Sequence, residues 1–385
     1  MLTIERLKHS SQLNALRCDW DRLSDGNRMR SFDWSQAWQE CLGSQTIPYT
    51  LVVRNGSDVQ GILPLALDCS TIRGRRLVLA GSGKACGDNL GILFAPGFEE
   101  QVARELAQWL SLAKGNDRWD CLDLDGVQPG NVAMAAFLEQ LQTVQQLDVE
   151  VKSSESCWAI DLSGGWDAIF AKLSNRMRRM VNNNFLAQYI NTGRARLKVA
   201  ESLEEALEML KITADLHQSR WQECNIDGCF AVDGFNDFLV AMVSKWWPLG
   251  IAYVANLELD GRPVAGVIGM WERDELAIYL VGMDVEAREH RPGWLASVES
   301  VRHAIQAGKS RFNFLRGDEE YKGRLGAEPT VQQRWIVTSP RLLPRLRGAT
   351  VRKGIEVRNW FRRRADAKTL ARMSKVNQQE PQTSD

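Results

Sequence analysis

Phe312-Asn-Phe-Leu-Arg-Gly-Asp-Glu-Glu-Tyr-Lys322, followed by Gly323-Arg324-Leu325-Gly326, is the stretch from which the rest of the chain is read. Phe312 and Phe314 alternate with Asn313, so it opens as a short strand with one apolar face, closed by Leu315. Arg316, Asp318, Glu319, Glu320 and Lys322 then crowd into seven residues beside Gly317 and Gly323. Ionisable groups at the end of a core strand are a common place for a site, because the scaffold holds the loop rigidly. The same composition also makes a solvated turn laced with i,i+4 ion pairs.

Upstream, one order of elements occurs twice. In the first half, Tyr49–Val53 reads as a strand turning at Asn55-Gly56 onto a partner at 59–67. A strand at 76–80, a helix over 99–113 and a strand at 119–125 follow. In the second half, a strand at 251–259 turns at Asp260-Gly261 onto 263–270. Then come a strand at 276–281, a helix at 294–307 and the strand at 311–315. Hairpin, strand, crossover helix and strand describe an antiparallel sheet that turns parallel. Helices are expected to start at Gly164 and Ser174, and another over 202–222 carries Leu216-His217-Gln-Ser-Arg220-Trp221.

The reading is therefore an α/β (α+β) chain of two similar domains, each a mixed, mainly antiparallel sheet flanked by helices. They span 1–150 and 151–340, with the boundary in Val151–Ser156 before a strand at 157–162. Residues 341–385 are read as a basic amphipathic helix and a disordered polar tail.

A length of 385 residues suits two domains, and 44% hydrophobic with 25% charged residues is globular composition. No apolar run approaches the ~18 residues a membrane span needs. The stretch Met1–His9 lacks the apolar core of a signal peptide. Eight scattered cysteines without a Cys-x-x-Cys, beside four histidines, argue against a zinc framework and for reduced thiols. The expectation is a cytoplasmic protein without a metal. Net charge is zero, yet residues 341–375 hold twelve Lys or Arg against Glu356 and Asp366. A second basic zone, Lys172 to Lys198, holds seven cations and no carboxylate.

The string Phe-x-Phe-Leu-Arg-Gly-Asp-x-x-Tyr-Lys at 312–322 resembles the signature of the CelD-like (cellulose-biosynthesis-associated) acyltransferases. Leu-His-x-x-Arg-Trp at 216–221 and the Leu-Ser-x-x-x-Arg-x-x-Arg pattern, matched in part at 173–179, support it. That family belongs to the GNAT superfamily, so the resemblance implies tandem GNAT-like domains and acyl transfer from acyl-CoA to an amine. It also implies a place in exopolysaccharide or cell-envelope synthesis. Tyr-Lys-x-x-x-Gly at 321–326 is similar to the lysine motif of Fem-type aminoacyltransferases, which keeps an aminoacyl-tRNA donor as an alternative. A catalytically inactive GNAT-like scaffold recruited to the membrane is the other alternative.

Such a reaction needs a polarised thioester carbonyl, a base for the amine and a cradle for phosphates. Arg288, His290 and Arg291 with Pro292-Gly293-Trp294 lie where a strand ends and a helix opens. Backbone N–H groups at a helix start hold phosphates, and Gly293 lets a pyrophosphate approach. The resemblance makes this turn the pyrophosphate loop, with Arg288, Arg291, Gly293 and Trp294 as donor-binding residues. His217 is a base candidate because its reference pKa lies near neutrality, and Asp318 and Glu319 are rivals. Tyr321 is placed to protonate a leaving thiolate, and Lys322 to bind phosphate or an oxyanion. Arg176 and Arg179 share a helix face and suit a phosphate-bearing acceptor such as a nucleotide- or lipid-linked amino sugar. Arg220, Arg316 and Glu319 are grouped with them as substrate-binding residues. The basic segment 341–375, with Trp360 and Phe361 among its arginines, fits an anionic membrane surface or a membrane-bound partner at the inner membrane.

Overall fold

The computed structural model describes residues 2–70, 74–223, 225–341 and 344. The first strands are β1 (Leu2–Leu7), β2 (Ile47–Pro48), β3 (Thr50–Asn55), β4 (Asp58–Leu63), β5 (Leu65–Ser70), β6 (Gly74–Leu79), β7 (Leu93–Phe94) and β8 (Cys121–Val127). They are followed by β9 (Asp148–Asp161), β10 (Ala195–Val199), β11 (Ala252–Leu259), β12 (Arg262–Trp271), β13 (Glu275–Met283), β14 (Arg311–Arg316) and β15 (Glu328–Thr338). Four of them form a small sheet, β1-β3-β4-β7. The other eleven run as one sheet, β10-β11-β12-β13-β14-β9-β15-β8-β6-β5-β2. This is the mixed α/β class read from sequence.

The repeated order is present. β11 and β12 close antiparallel across Asp260 and Gly261, both at positive φ (51° and 82°). Aspartate and glycine accept that conformation more readily than most residues, which fixes the register of the hairpin. β12 pairs antiparallel with β13, and helix Pro292–Gln306 then crosses over to place β14 parallel to β13. In the first half, helix Glu99–Leu112 likewise places β8 parallel to β6.

Three segments differ from the sequence reading. The expected single strand at 59–67 breaks at Pro64, which has no N–H for the ladder. Its two parts, β4 and β5, lie in different sheets. Residues 151–156, expected to connect two domains, are extended strand inside β9. β15, absent from the expectation, pairs with β8 on one side and β9 on the other.

β9 and β15 lie side by side at the centre of the large sheet. β9 follows the first half in sequence yet pairs outward with β14 of the second. β15 follows the second half yet pairs outward with β8 of the first. Each half thus completes the other's sheet. Their cores merge as well: Trp34 packs edge-on to Phe238 (4.9 Å) and Tyr279 (5.7 Å) and stacks on Trp246 (6.0 Å).

Helix Leu203–Glu223 lies directly on β12 and β13. A Cβ on Gly266 would stand 2.0 Å from Thr213 Oγ1, and one on Gly282 would stand 2.5 Å from the Thr213 carbonyl. Only glycine permits this approach, and it brings His217, one turn further along, down onto the sheet. Among the described residues no helix is long and apolar enough to cross a membrane. The basic segment 341–375 lies outside the described residues, apart from Arg341 and Pro344.

Candidate functional site

Where β13 and β14 run parallel, their register holds for only three pairs, ending at Ala277 and Asn313. β13 continues to Met283 and β14 to Arg316, so the strands part. Local chemistry explains the parting on both sides. On β14, the Asn313 side chain accepts the Leu315 N–H (2.9 Å), and Leu315 takes a left-handed φ of 55°. On β13, Ile268 pairs with Leu280 and Gly269 with Ile278, leaving Tyr279 as the extra residue of a bulge. A bulge frees backbone groups from the ladder and commonly adjoins a site. The Tyr279 hydroxyl donates to the Ala85 carbonyl (2.6 Å), so a first-half loop closes the far side.

A cavity of about 720 Å³ lies at the start of helix Pro292–Gln306. Lys172, Arg176, Arg179, Arg291 and Arg324 line it, with Trp294, Gly323 and Gly326 and with no carboxylate. The helix begins at Pro292 after Arg291 in a left-handed conformation (φ 53°), and no side chain caps its first turn. Pro292 has no N–H, and those of Trp294 and Leu295 bond the Arg291 carbonyl (3.0 and 3.1 Å), so it is the five cations gathered in one concavity that make an anion site. Opposite them is helix Asn175–Arg179, capped by Ser174 and continued as π-helix through Met180–Ile190. Arg291 reaches this wall through Met180 Sδ (3.0 Å), and Tyr189 bonds His290 Nδ1 (2.9 Å).

The expected site residues divide by place. Arg176, Arg179, Arg291 and Trp294 share the cavity, although sequence reasoning gave the first two to the acceptor and the others to the donor. Gly293 sits in the helix's first turn, with Met283 Sδ 3.3 Å from where its Cβ would be. Arg288 is away from these, bonding the Val285 carbonyl (2.7 Å) and the Glu223 carboxylate.

In the strand-end loop, Lys322 is 3% exposed. Its Nζ donates to the carbonyls of Arg316 (3.1 Å) and Gly317 (2.9 Å) and pairs with Glu319 Oε2 (2.9 Å). All three ammonium protons are thus used inside the loop, where phosphate or oxyanion binding was expected. Glu319 remains 55% exposed. Asp318 Oδ1 accepts the Ser156 N–H and the Trp158 indole N–H, both at 3.2 Å. Arg316 is held by Asp88 (2.8 Å) and Asp125 (2.9 Å). Burial pulls the guanidinium down, but the two carboxylates together hold it above its ordinary pKa. Tyr321 contacts the rings of Trp294 and Phe314, both at 5.7 Å, and its hydroxyl bonds Ser297. Burial, with Glu319 nearby, pushes the Tyr321 phenol well above its usual range.

His217 Nε2 accepts the Trp221 indole N–H (2.9 Å). The neutral ring must then carry its proton on Nδ1, so in this conformation it has no free lone pair for a substrate proton. Burial, with Arg220 adjacent, lowers its pKa to about 4. Arg220 itself is exposed and close enough to act electrostatically on both His217 and Tyr321. Sequence reasoning missed the residues around it: Cys229 Sγ lies 3.8 Å from His217 Nε2, and Tyr279 and Cys86 lie beyond. The glycine-rich run Gly81-Ser-Gly-Lys-Ala-Cys-Gly-Asp-Asn-Leu-Gly91 was the available signal for the first-half loop. Among the described residues no group of His, Cys, Asp and Glu is placed to hold a metal.

Residues 175–323 match the acetyltransferase (GNAT) domain. That span holds the parted strands, the crossover helix and most of the cavity wall. No curated protein matches the chain. The crystal structure of FemX superposes with a TM-score of 0.59 at 11% identity, covering 86% of this chain and 96% of that one. A conserved protein of unknown function from Bacteroides thetaiotaomicron VPI-5482 gives 0.56 at 12% identity, covering 87% and 100%. A tandem GNAT protein from the clavulanic acid biosynthesis pathway gives 0.48 at 15% identity, covering 89% and 99%. At these identities the likeness is one of fold. The match extends to the GNAT domain and not to the CelD-like family within it.

Proposed function

We propose that this chain is an N-acyltransferase that takes an acyl group from a coenzyme A thioester in its second half and passes it to an amine. The observation that carries the reading is the five-cation cavity at the uncapped start of helix Pro292–Gln306. A coenzyme A tail carries a pyrophosphate and a further phosphate, which suits clustered arginines. The residues fit that group, and the thioester supplies an activated carbonyl for attack.

Arg176, Arg179 and Arg291 hold the phosphates at the cavity, beside Arg324, which is paired with Glu320. Beyond Ala277 and Asn313 the backbone of β13 no longer pairs with β14, and its N–H groups there are the right kind of donor for a developing oxyanion. Tyr321 stays protonated at neutral pH and gives its proton to the departing thiolate. Of the three base candidates, Glu319 is half exposed and lies close to Tyr321, and it takes the amine proton. Lys322 fixes the loop that carries both.

For the acceptor, the resemblance at 312–322 supports an amine-bearing sugar, nucleotide- or lipid-linked, in exopolysaccharide or envelope synthesis. The basic segment 341–375 suits recruitment of a cytoplasmic enzyme to an anionic inner-membrane surface. Titration calorimetry with acetyl-CoA and a longer acyl-CoA tests the donor. Saturable binding that Arg179→Glu weakens about tenfold or more, with a steep salt dependence, is the expected result. No binding at millimolar ligand removes the reading and directs the search to charged tRNA as donor.

A further inference from the structure

Arg316 ends β14 in a socket that the first half builds. Its Nε donates to Asp88 Oδ1 (2.8 Å), its backbone N–H to Asp88 Oδ2 (3.0 Å) and its Nη1 to Asp125 Oδ2 (2.9 Å). Nη2 reaches the Gly87 carbonyl at 3.2 Å. The socket is tight: a Cβ on Gly126 would meet Gly87 O at 2.4 Å and Arg316 Nη2 at 2.9 Å. Asp88 is 4% exposed and lines no part of the cavity.

The socket's pull is transmitted by short steps. Arg316 is the residue at which β14 has left β13, and its carbonyl accepts Lys322 Nζ. Lys322 belongs to helix Glu320–Arg324, which also carries Tyr321 and presents Gly323 and Arg324 to the cavity. We infer that Asp88 is a positioning residue, through which the first half holds the parted end of β14 and the Tyr321 helix in their working places. The inference rests on the donor reading above. It gives the first half a role in the reaction without a second reacting centre. Asp88 touches no reacting atom; its carboxylate fixes the direction of one strand end.

The test is Asp88→Asn, which keeps shape and removes charge, with Asp125→Asn as the milder half of the clamp should the first fold poorly. Amide hydrogen exchange by mass spectrometry over 311–323 reads the strand end, and acetyl-CoA calorimetry with steady-state turnover reads the site. The expected result is faster exchange at 315–317 with β12 unchanged, and kcat lowered about tenfold or more, since misplacing a reacting group by an ångström is that costly. Acetyl-CoA affinity changes less than kcat, because the phosphate-holding arginines Arg176, Arg179 and Arg291 lie outside the socket. A merely structural role would lower the unfolding midpoint and leave kcat per folded molecule unchanged, and that outcome overturns the inference. If wild-type protein binds no acetyl-CoA, the donor reading falls; unchanged exchange at 315–317 in both variants then separately removes the clamp.

Discussion

Replacing Lys322 with methionine separates a chemical lysine from a structural one. The side chain is 3% exposed, and its Nζ serves two carbonyls and one carboxylate within the loop. Breaking a buried ion pair by removing one partner costs roughly 3–5 kcal/mol. Here Glu319 is 55% exposed and recovers water, so its share is discounted. What remains is two carbonyls left without a charged donor, each worth about 1–3 kcal/mol, offset in part by burying the methionine stem. A net loss of about 3 kcal/mol follows. With an unfolding entropy of roughly 2.1 cal/mol/K per residue over 385 residues, or roughly 0.8 kcal/mol/K, the midpoint falls by about 4 °C. Thermal unfolding followed by circular dichroism, beside acetyl-CoA calorimetry, measures both consequences. The expected pattern is a lower midpoint, impaired turnover and nearly wild-type donor affinity. An unchanged midpoint with turnover abolished would refute the reasoning, because Nζ would then be acting on substrate and not on its own loop.

Two further outcomes follow from other sites. Burial, reinforced by Glu275, raises the Glu272 carboxyl to about 7 against an ordinary 4.5. A raised folded-state value means the native protein binds this proton more tightly than the unfolded chain does. Its contribution is therefore full below about pH 4.5 and lost as pH rises to about 7, amounting to about 2 kcal/mol after allowance for partial exposure. Urea unfolding of Glu272→Gln from pH 5 to 8 should show a flatter profile and higher stability at pH 8; parallel profiles would contradict it. Gly266→Ala drives a methyl into Thr213 and costs about 1–3 kcal/mol by overpacking, lifting helix Leu203–Glu223 from β12. A wild-type unfolding midpoint would show that the helix can move away freely.

The hairpins and crossover helices were legible because each depends on local signals: Asp260-Gly261, period-two alternation and helical spacing. What was illegible is the centre of the large sheet. In β9, Asp148-Val-Glu-Val-Lys alternates charged residues with valine as a strand with an open face does, but Ser153-Ser-Glu carries no apolar residue and so resembles a linker. In β15, Pro329 and Gln332-Gln333-Arg334 hide the strand in the same way. Their partners lie well over a hundred residues away, and no local periodicity reports such a pairing. At the site, residue types were readable but their engagements were not. His217 and Trp221 stand at i,i+4, so the indole that occupies the imidazole was one helical turn away in the sequence. Arg176 and Arg291 were assigned to different ligands, and only the fold places them on one cavity.

The two halves share an order of elements but not a chemistry, which bears on how many donors a chain binds. In the second half, β13 and β14 part beside an uncapped helix start with no acidic residue in its first turn. In the first half, β6 and β8 also part after three parallel pairs, at Val78 and Asp123. There the loop after β6 fills the gap: Leu90 N–H donates to the Gly126 carbonyl (2.9 Å), and Gly87 packs against Gly126 too closely for any Cβ. The crossover helix of that half begins with Glu99 and Glu100, whose charges oppose a phosphate at the same helix end. Geometry and charge both close the first half to a coenzyme A tail. Calorimetry on the whole chain should therefore return one acyl-CoA per molecule, weakened about tenfold or more by Arg179→Glu or Arg291→Glu and untouched by Glu99→Gln with Glu100→Gln. A second equivalent that survives Arg179→Glu would show that the filled gap opens on binding, and would return the first half to the list of donor sites.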